Sequence, residues 1–595
     1  MIPRRLNALR ELMRQYHIQA YLVPSTDPHG SEYVPECWQR RQWLSGFTGS
    51  AGELVVTLND AGLWTDSRYF LQAEEELKGT GIRLFKVGLP ETPDIPRWLG
   101  EVLKEGDAVG LDTRLFSYQE AQKLEEALRN RGLVLKPIEV NLVDEIWDDR
   151  PAFPRAPAVP HPLQYSGETV ESKLTRVRDK MSQHHTDAHV VTTLDAIAWL
   201  YNIRGSDVAY NPVVIAYAIV TVQDARLFIP PEKVTDELRQ HLKNRVQIFP
   251  YDAFGEHLHQ LAREKSRVWL EPDAVSRWVV DALKPGARLY FDRSPITWFK
   301  AIKNETEIQG FRNAHVRDGV AMVKFLHWLE KAVPRGGVTE ISAAEQAEKF
   351  RQEQELYVGP SFHPISAYRE HGAIVHYSAT PETSVELKPE GIFLFDSGGQ
   401  YLDGTTDITR TVALGQPTPE QKEHFTRVLQ GHIQLAMTRF PRNTAGNQLD
   451  TIARKPLWDI GLNYGHGTGH GVGSYLNVHE GPQGISYYRG IGVPMEVGMV
   501  TSNEPGYYRT GEYGIRIENL ILTVKDEPFS SDDGEFYCFE TITLCPIDLK
   551  LVALEMLSAS EREWLNRYHR KVRETLSPFL NEEERTWLKE ATREV

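Results

Sequence analysis

The sequence predicts a multidomain α/β protein, and three observations lead there. The chain has 595 residues, too many for one hydrophobic core and enough for three or four domains of ordinary size. A stretch with five prolines, Asp148–Pro162 (DDRPAFPRAPAVPHP), has almost no hydrophobic periodicity and marks a boundary. On both sides of it, strand-like segments alternate with helical ones, and the pattern repeats. Ala20–Asp27 (AYLVPSTD) matches Ala188–Asp195 (AHVVTTLD), and each is followed by Trp-Leu, at Trp43-Leu44 and Trp199-Leu200. Asp60–Trp64 (DAGLW) is echoed by Asp224–Phe228 (DARLF). The reading is a duplicated α/β domain.

Taken in order, the first residues (MIPRRLNALRELMR) read as a basic amphipathic helix, with no continuous apolar core of the kind a signal peptide needs. The longest apolar run, Val213–Val222, is half a membrane span and is interrupted by Thr221. A second boundary is expected near Lys303, after strand-like Arg288–Asp292 and before the helical pattern of Glu305–Leu329. The expected divisions are therefore 1–150, 151–303 and 304–595. With 41% hydrophobic and 25% charged residues the chain is an ordinary globular protein. A net charge of −15 argues against nucleic acid or an anionic membrane as partner. Cys37, Cys538 and Cys545 give neither a disulfide framework nor metal spacing, so a reduced cytoplasmic compartment is expected.

The last third concentrates chemistry. Asp396 and Asp407 lie in FLFDSGGQYLDGTTDITRT, His466 and His470 in HGTGHGVGSYLNVHE, and Glu504 and Glu518 in NEPGYYRTGEYGIRIEN. Gly391–Phe395 reads as a buried strand that ends at Asp396 facing a cavity. Period-two alternation along Thr405–Val412 puts Thr405, Asp407 and Thr409 on one face. In Ile515–Glu518 the isoleucines share one face, and Arg516 and Glu518 the other. Glu504 precedes Pro505-Gly506, a turn pair. His470 lies between Gly469 and Gly471, where missing side chains let the backbone approach a ligand closely. Each feature alone has a bland reading as turn, loop or half-exposed strand. Together, four carboxylates and a histidine exceed what one ion needs and suit a pair of divalent cations with a shared hydroxide. The residues point to a two-metal hydrolase.

His466–Gly473 (HGTGHGVG), Val478-His-Glu, the aspartate pair, Glu504-Pro-Gly and Ile517-Glu518 resemble the M24 peptidase, or pita-bread, family. Gly46–Gly52 (GFTGSAG) and Trp64–Phe70 (WTDSRYF) resemble a creatinase-type N-terminal domain, and Leu200–Asp207 (LYNIRGSD) with Asn211-Pro212 resembles a second one. Two such domains followed by a pita-bread domain resemble the long cytosolic Xaa-Pro aminopeptidases. That resemblance implies two Mn²⁺ ions held by Asp396, Asp407, His470, Glu504 and Glu518, with Zn²⁺ or Co²⁺ able to bind the same ligands. It implies an acid/base role for Glu504, substrate contact with oxyanion or leaving-group support for His376, His466 and His479, and a substrate contact for Arg68. Arg516, which shares a face with Glu518, is expected to support it. It also implies peptide substrates with proline at the second position, a homodimer, and a ring pocket for which Tyr357, Phe362 and Ile365 are candidates.

Two departures from the family pattern stand out: Asn503 where many members carry an acid, and Tyr368-Arg-Glu-His371 in a loop that is often small and glycine-rich. Three alternatives stay open. They are prolidase, with the same five ligands; creatinase, without metals; and a non-catalytic pita-bread module that binds peptides.

Overall fold

A computed structural model describes every residue except 488–490 and 532–533. The chain forms two compact units, one of Met1–His161 with Glu168–Ile296, the other of Pro162–Gly167 with Thr297–Val595.

The N-terminal unit contains the same sheet twice. In the first, the strands lie in the order Arg83–Lys86, Ala61–Thr65, Glu53–Thr57, Ala20–Val23, Ala108–Asp112 and Val134–Ile138. In the second, the order is Gln247–Phe249, Ala225–Phe228, Tyr217–Thr221, Ala188–Val191, Arg267–Leu270 and Arg288–Phe291. Pairing senses agree as well. Ala20–Val23 runs antiparallel to its neighbour at Thr57 and parallel to that at Val109, as Ala188–Val191 does at Thr221 and Val268. The matched sequence segments are thus the central strands of two like sheets. Every residue of both is buried, and His189 in the second keeps hydrogen bonds to the Trp269 carbonyl at 3.1 Å and the Ser294 hydroxyl at 2.8 Å. The opening helix, Ile2–Gln15, buries Leu6, Leu9 and Met13, as its pattern predicts. The apolar run near residue 213 is no membrane segment but holds the interior strand Tyr217–Thr221. Among the described residues no helix is long and apolar enough to cross a membrane.

The C-terminal unit is built on the helix Glu305–Ala332, which starts at a capping box between Asn304 and Glu307. Strand Ile392–Ser397 lies between Ile365–Tyr368 and Ile408–Ala413. Phe393 and Phe395 alternate onto one face and pack with Phe325 of the long helix. Asp396 must then point to the other face. A second sheet runs in the order Phe440–Pro441, Phe536–Thr541, Asn519–Lys525, Val500–Asn503, Gly469–Gly471 and Glu480–Ile485. Helices Pro419–Ala436 and Gly446–Trp458 belong to the same unit, as does the hairpin of Gly506–Arg509 and Tyr513–Arg516.

Candidate metal centre

Breaks between strands, rather than continuous strands, present most of the predicted ligands. Asp407 sits between Gly404–Thr405 and Ile408–Ala413, Glu504 between Val500–Asn503 and Gly506–Arg509, and Glu518 between Tyr513–Arg516 and Asn519–Lys525. The expected unbroken run through Asp407 is therefore corrected. An interruption re-aims a side chain that regular pleating would send up or down. His470 is the middle residue of Gly469–Gly471, at a register shift against Glu480–Ile485.

Asp407, His470 and Glu518 bring one donor atom each to within 4.8 Å of one another. His470 Nε2 lies 3.4 Å from Asp407 Oδ2 and 3.4 Å from Glu504 Oε1. Its Nδ1 is 3.0 Å from the Gly471 carbonyl, which can only accept, so Nδ1 carries the proton and Nε2 offers its lone pair. The Ser502 hydroxyl accepts the His470 backbone N–H at 2.9 Å and donates to Glu504 Oε1 at 3.0 Å. Glu518 Oε2 accepts the Thr409 hydroxyl at 2.7 Å. Thr409 is directly opposite Asp396 in the sheet, so the two share a face.

Arg516 is given to Asp396, not to Glu518 as the sequence suggested. Its Nη2 and Nε reach Asp396 Oδ2 at 2.6 and 3.2 Å, and Nε also donates to the Thr409 hydroxyl at 3.1 Å. Its Nη1 donates to the Tyr508 hydroxyl at 2.6 Å, which lies 2.8 Å from His466 Nε2. His466 Nδ1 faces the Gly467 carbonyl at 2.8 Å, so Nε2 accepts from Tyr508 and both ring nitrogens are engaged by the protein.

Burial, ahead of mutual repulsion, sets the electrostatics. It pushes Asp396 and Asp407 up to about 6 and Glu504 to about 7, and holds Glu518 well above the carboxylate range. Arg516 and His470 act against the rise at Asp396 and Glu504 respectively. Asp396 Oδ1 is buried with no hydrogen-bond partner. Four crowded carboxylates, an orphaned oxygen and an imidazole lone pair form a donor set that fits divalent cations.

The glycines around His470 have a different purpose from the one expected. A Cβ on Gly469 would collide with the Ser502 carbonyl, and one on Gly471 with the Glu480 carbonyl. They let neighbouring strands close on His470. Helix Gly446–Trp458 then holds the histidine loop from beneath. Buried Arg454 donates to the Tyr464 and His466 carbonyls at 2.7 and 2.6 Å and to Asp450 at 2.7 Å, while Asp450 accepts the Thr468 hydroxyl at 2.5 Å. The Thr468 carbonyl takes the Glu504 N–H at 2.8 Å. Sequence reasoning put Thr409 on the face of Asp407 without giving it a role, and missed Ser502, Tyr508, Asp450 and Arg454.

Of the remaining predicted residues, His479 stands with its ring 4.3 Å from that of His470 and nearly perpendicular to it. Next to it, buried Glu480 is bound by Lys300 and Lys303 at 3.0 and 2.9 Å. His376 follows the short helix Arg369–Ala373, and the carbonyl of the preceding Val375 accepts from Arg516 at 3.4 Å. Ile365 pairs with Asp396 in register, whereas the Tyr357 hydroxyl is bound to Glu348 at 2.6 Å. Arg68 belongs to the N-terminal unit, where Asp66 holds it through two bonds of 2.8 and 2.7 Å. It is half-buried in a turn. Asn503 faces away from the carboxylates into the fold, donating to the His432 carbonyl at 2.9 Å.

Comparison with known proteins agrees with this arrangement. Aminopeptidase P2 of Arabidopsis thaliana is 43% identical over 98% of this chain and 86% of its own length. The chain belongs to metallopeptidase family M24. The M24 family model itself matches residues 309–525, the model of the family's C-terminal region matches 535–595, and Creatinase/Prolidase N-terminal domain models match 5–145 and 149–307. This M24 chain is also similar to Xaa-Pro aminopeptidase ApepP of Drosophila melanogaster, 43% identical over 99% of each. Among solved structures it resembles X-prolyl aminopeptidase from Caenorhabditis elegans, a cytosolic enzyme with a di-nuclear active site. That likeness has a TM-score of 0.95 and 38% identity over the whole of both chains.

Proposed function

We propose that the protein is a Xaa-Pro aminopeptidase that removes the N-terminal residue from peptides with proline in second place. The observation that carries this reading is the convergence of Asp396, Asp407, His470, Glu504 and Glu518 in a chain whose full-length relatives bear that activity in their names. Those whole-chain matches also stand against the prolidase and binding-module alternatives. The five residues would hold two divalent cations. We take these to be Mn²⁺, because four of the five donors are carboxylates, with Zn²⁺ or Co²⁺ acceptable to the same set. When bound, the ions acidify water and polarise the scissile carbonyl.

The chain's own residues do the rest. Glu504, oriented by the Ser502 hydroxyl, takes a proton from the attacking water and returns it to the proline nitrogen, which leaves as a secondary amine. Arg516 keeps Asp396 ionised and turned into the site, and through Tyr508 fixes the ring of His466. His376 and His479 contact the substrate carbonyls flanking the cleaved bond, and Arg68 reaches the peptide. Ile365, on the face of Asp396, and Phe362 offer apolar surface to the proline ring. Tyr357 is committed to Glu348. Proline at the second position removes the N–H of the cleaved bond and fixes φ near −65°, so the site gains from ring contact what it gives up in hydrogen bonding. We further propose the division 1–150, 151–303 and 304–595, a cytoplasmic location and a homodimer.

The metal-loaded protein should release the first residue of Xaa-Pro-Yaa tripeptides and largely spare Xaa-Ala-Yaa analogues. Equal kcat/KM for matched proline and alanine peptides would overturn this reading. Cleavage confined to Xaa-Pro dipeptides would replace it with prolidase.

A further inference from the structure

The unusual loop Tyr368-Arg-Glu-His371 and His376 share one buried anchor. Glu340 opens the helix Glu340–Gln352, where an acidic residue ordinarily faces water and complements the helix dipole. Here it is fully buried, and each carboxylate oxygen accepts two bonds. Oε1 takes the Tyr368 backbone N–H at 2.8 Å and His371 Nδ1 at 2.8 Å. Oε2 takes the Tyr377 hydroxyl at 2.9 Å and the Val385 backbone N–H at 3.1 Å. The backbone of Glu340 joins in as well: its N–H donates to the Val385 carbonyl at 3.1 Å, and its carbonyl accepts the Ser366 hydroxyl at 2.6 Å. A buried carboxylate is costly unless its lone pairs are filled, and this one is filled by a single segment, residues 368–385.

His376 lies inside that segment. Tyr377, the next residue, is bound to Glu340 and stacks on His371, with ring centres 4.5 Å apart. On the other side, the Val375 carbonyl is held by Arg516, which also grips Asp396. The loop further lies flat on Gly514, where a Cβ would collide with the Gly372 carbonyl. His376 is thus pinned from both flanks, by the Glu340 cluster and by the arginine of the metal centre.

We propose that Glu340, acting through His371 and Tyr377, is the positioning residue for His376. The proposal rests on the reading of His376 as a substrate contact. It gives His371 a purpose that the family pattern does not supply, as the imidazole that fills one lone pair of the anchor.

The test uses the full-length, metal-loaded protein and an Xaa-Pro-Yaa tripeptide. Glu340→Gln keeps the volume but places amide hydrogens against donors, and Tyr377→Phe removes one hydroxyl. Each is made alone and together with His376→Ala, with metal content and melting temperature recorded. The single variants should lower kcat/KM by about ten- to a hundredfold, the cost of misplacing a reacting-site group by an ångström or less, with metal content unchanged. In the His376→Ala background the same changes should add almost nothing, because the group they position is gone. If Glu340→Gln fails to fold, Tyr377→Phe carries the comparison. Equal losses in both backgrounds, or parental kcat/KM in the single variants, would overturn the proposal. Parental kcat/KM in His376→Ala alone would instead overturn the reading of His376, and the anchor's purpose with it.

Discussion

Without its metals this protein should grow less stable as pH rises. The Asp407 side chain is 5% exposed, and burial holds its carboxyl up to about 6 against an ordinary 3.8. An acid whose folded value lies above its unfolded one keeps its proton longer when folded. The folded state then binds more protons across the window from about pH 4 to about pH 6, and stability is lost as pH rises through it. At about 1.4 kcal/mol per tenfold change in proton affinity, Asp407 alone costs the metal-free fold about 3 kcal/mol by pH 8. Asp396 acts in the same direction, and Glu504, at about 7, extends the window upward. With about 2.1 cal/mol/K of unfolding entropy per residue, a loss of about 3 kcal/mol lowers the melting temperature of the C-terminal unit by roughly 5 °C. Bound cations reverse the penalty, and they require the deprotonated ligands that high pH supplies. Calorimetry of chelated and reloaded protein should therefore show a gap in melting temperature that widens by several degrees between pH 5 and pH 8. Asp407→Asn removes the acid without stranding a paired arginine, so the chelated variant should lose less on going to pH 8 than the chelated parent. A gap that is constant with pH, or equal slopes for variant and parent, would refute the reasoning.

Replacing His470 or Glu518 with alanine removes a donor, and activity should fall by several orders of magnitude with circular dichroism unchanged; full activity after chelation and Mn²⁺ restoration would remove the ligand assignment. Arg68→Ala should cost roughly tenfold in kcat/KM, the worth of one charge-assisted hydrogen bond, with metal content intact. Unaltered kinetics would leave Arg68 as the partner of Asp66 and nothing more. Arg516→Lys cannot reproduce the two-pronged grip on Asp396 while also reaching Tyr508, so kcat/KM should drop at least about tenfold despite the conserved charge. Parental kinetics in that variant would deny Arg516 its place in the site.

Those variants divide between what the sequence displays and what it conceals. Asp396 was legible because a local pattern marks it: an apolar run buried on both faces ends in a carboxylate, which needs a polar partner or a cavity at that point. The duplicated sheets were legible because the matched segments beginning at Ala20 and Ala188 are central strands buried along their whole length, where packing on both faces restricts the residue types. Asp407, Glu504 and Glu518 were legible as residue types in a telling order but not as geometry. Alternation presupposes an unbroken strand, and each of the three lies where the strand stops. Partners were the least legible part. Arg516 was matched to Glu518 by nearness in sequence, yet it binds Asp396, 120 positions away, and Thr409, 107 positions away. A guanidinium takes its partner from sheet register, which is fixed by packing across the whole unit. The hydroxyls of Thr409, Ser502 and Tyr508 carry no signal of their own, because serine, threonine and tyrosine occur everywhere and become informative only when a carboxylate or imidazole faces them. The glycines flanking His470 show how a correct signal can be given the wrong cause. In the sequence they read as room for a ligand, and in the fold the carbonyls of Ser502 and Glu480 occupy that room. The site is therefore built in two stages: local pattern supplies the metal-binding groups, and long-range register supplies the hydrogen bonds that aim them.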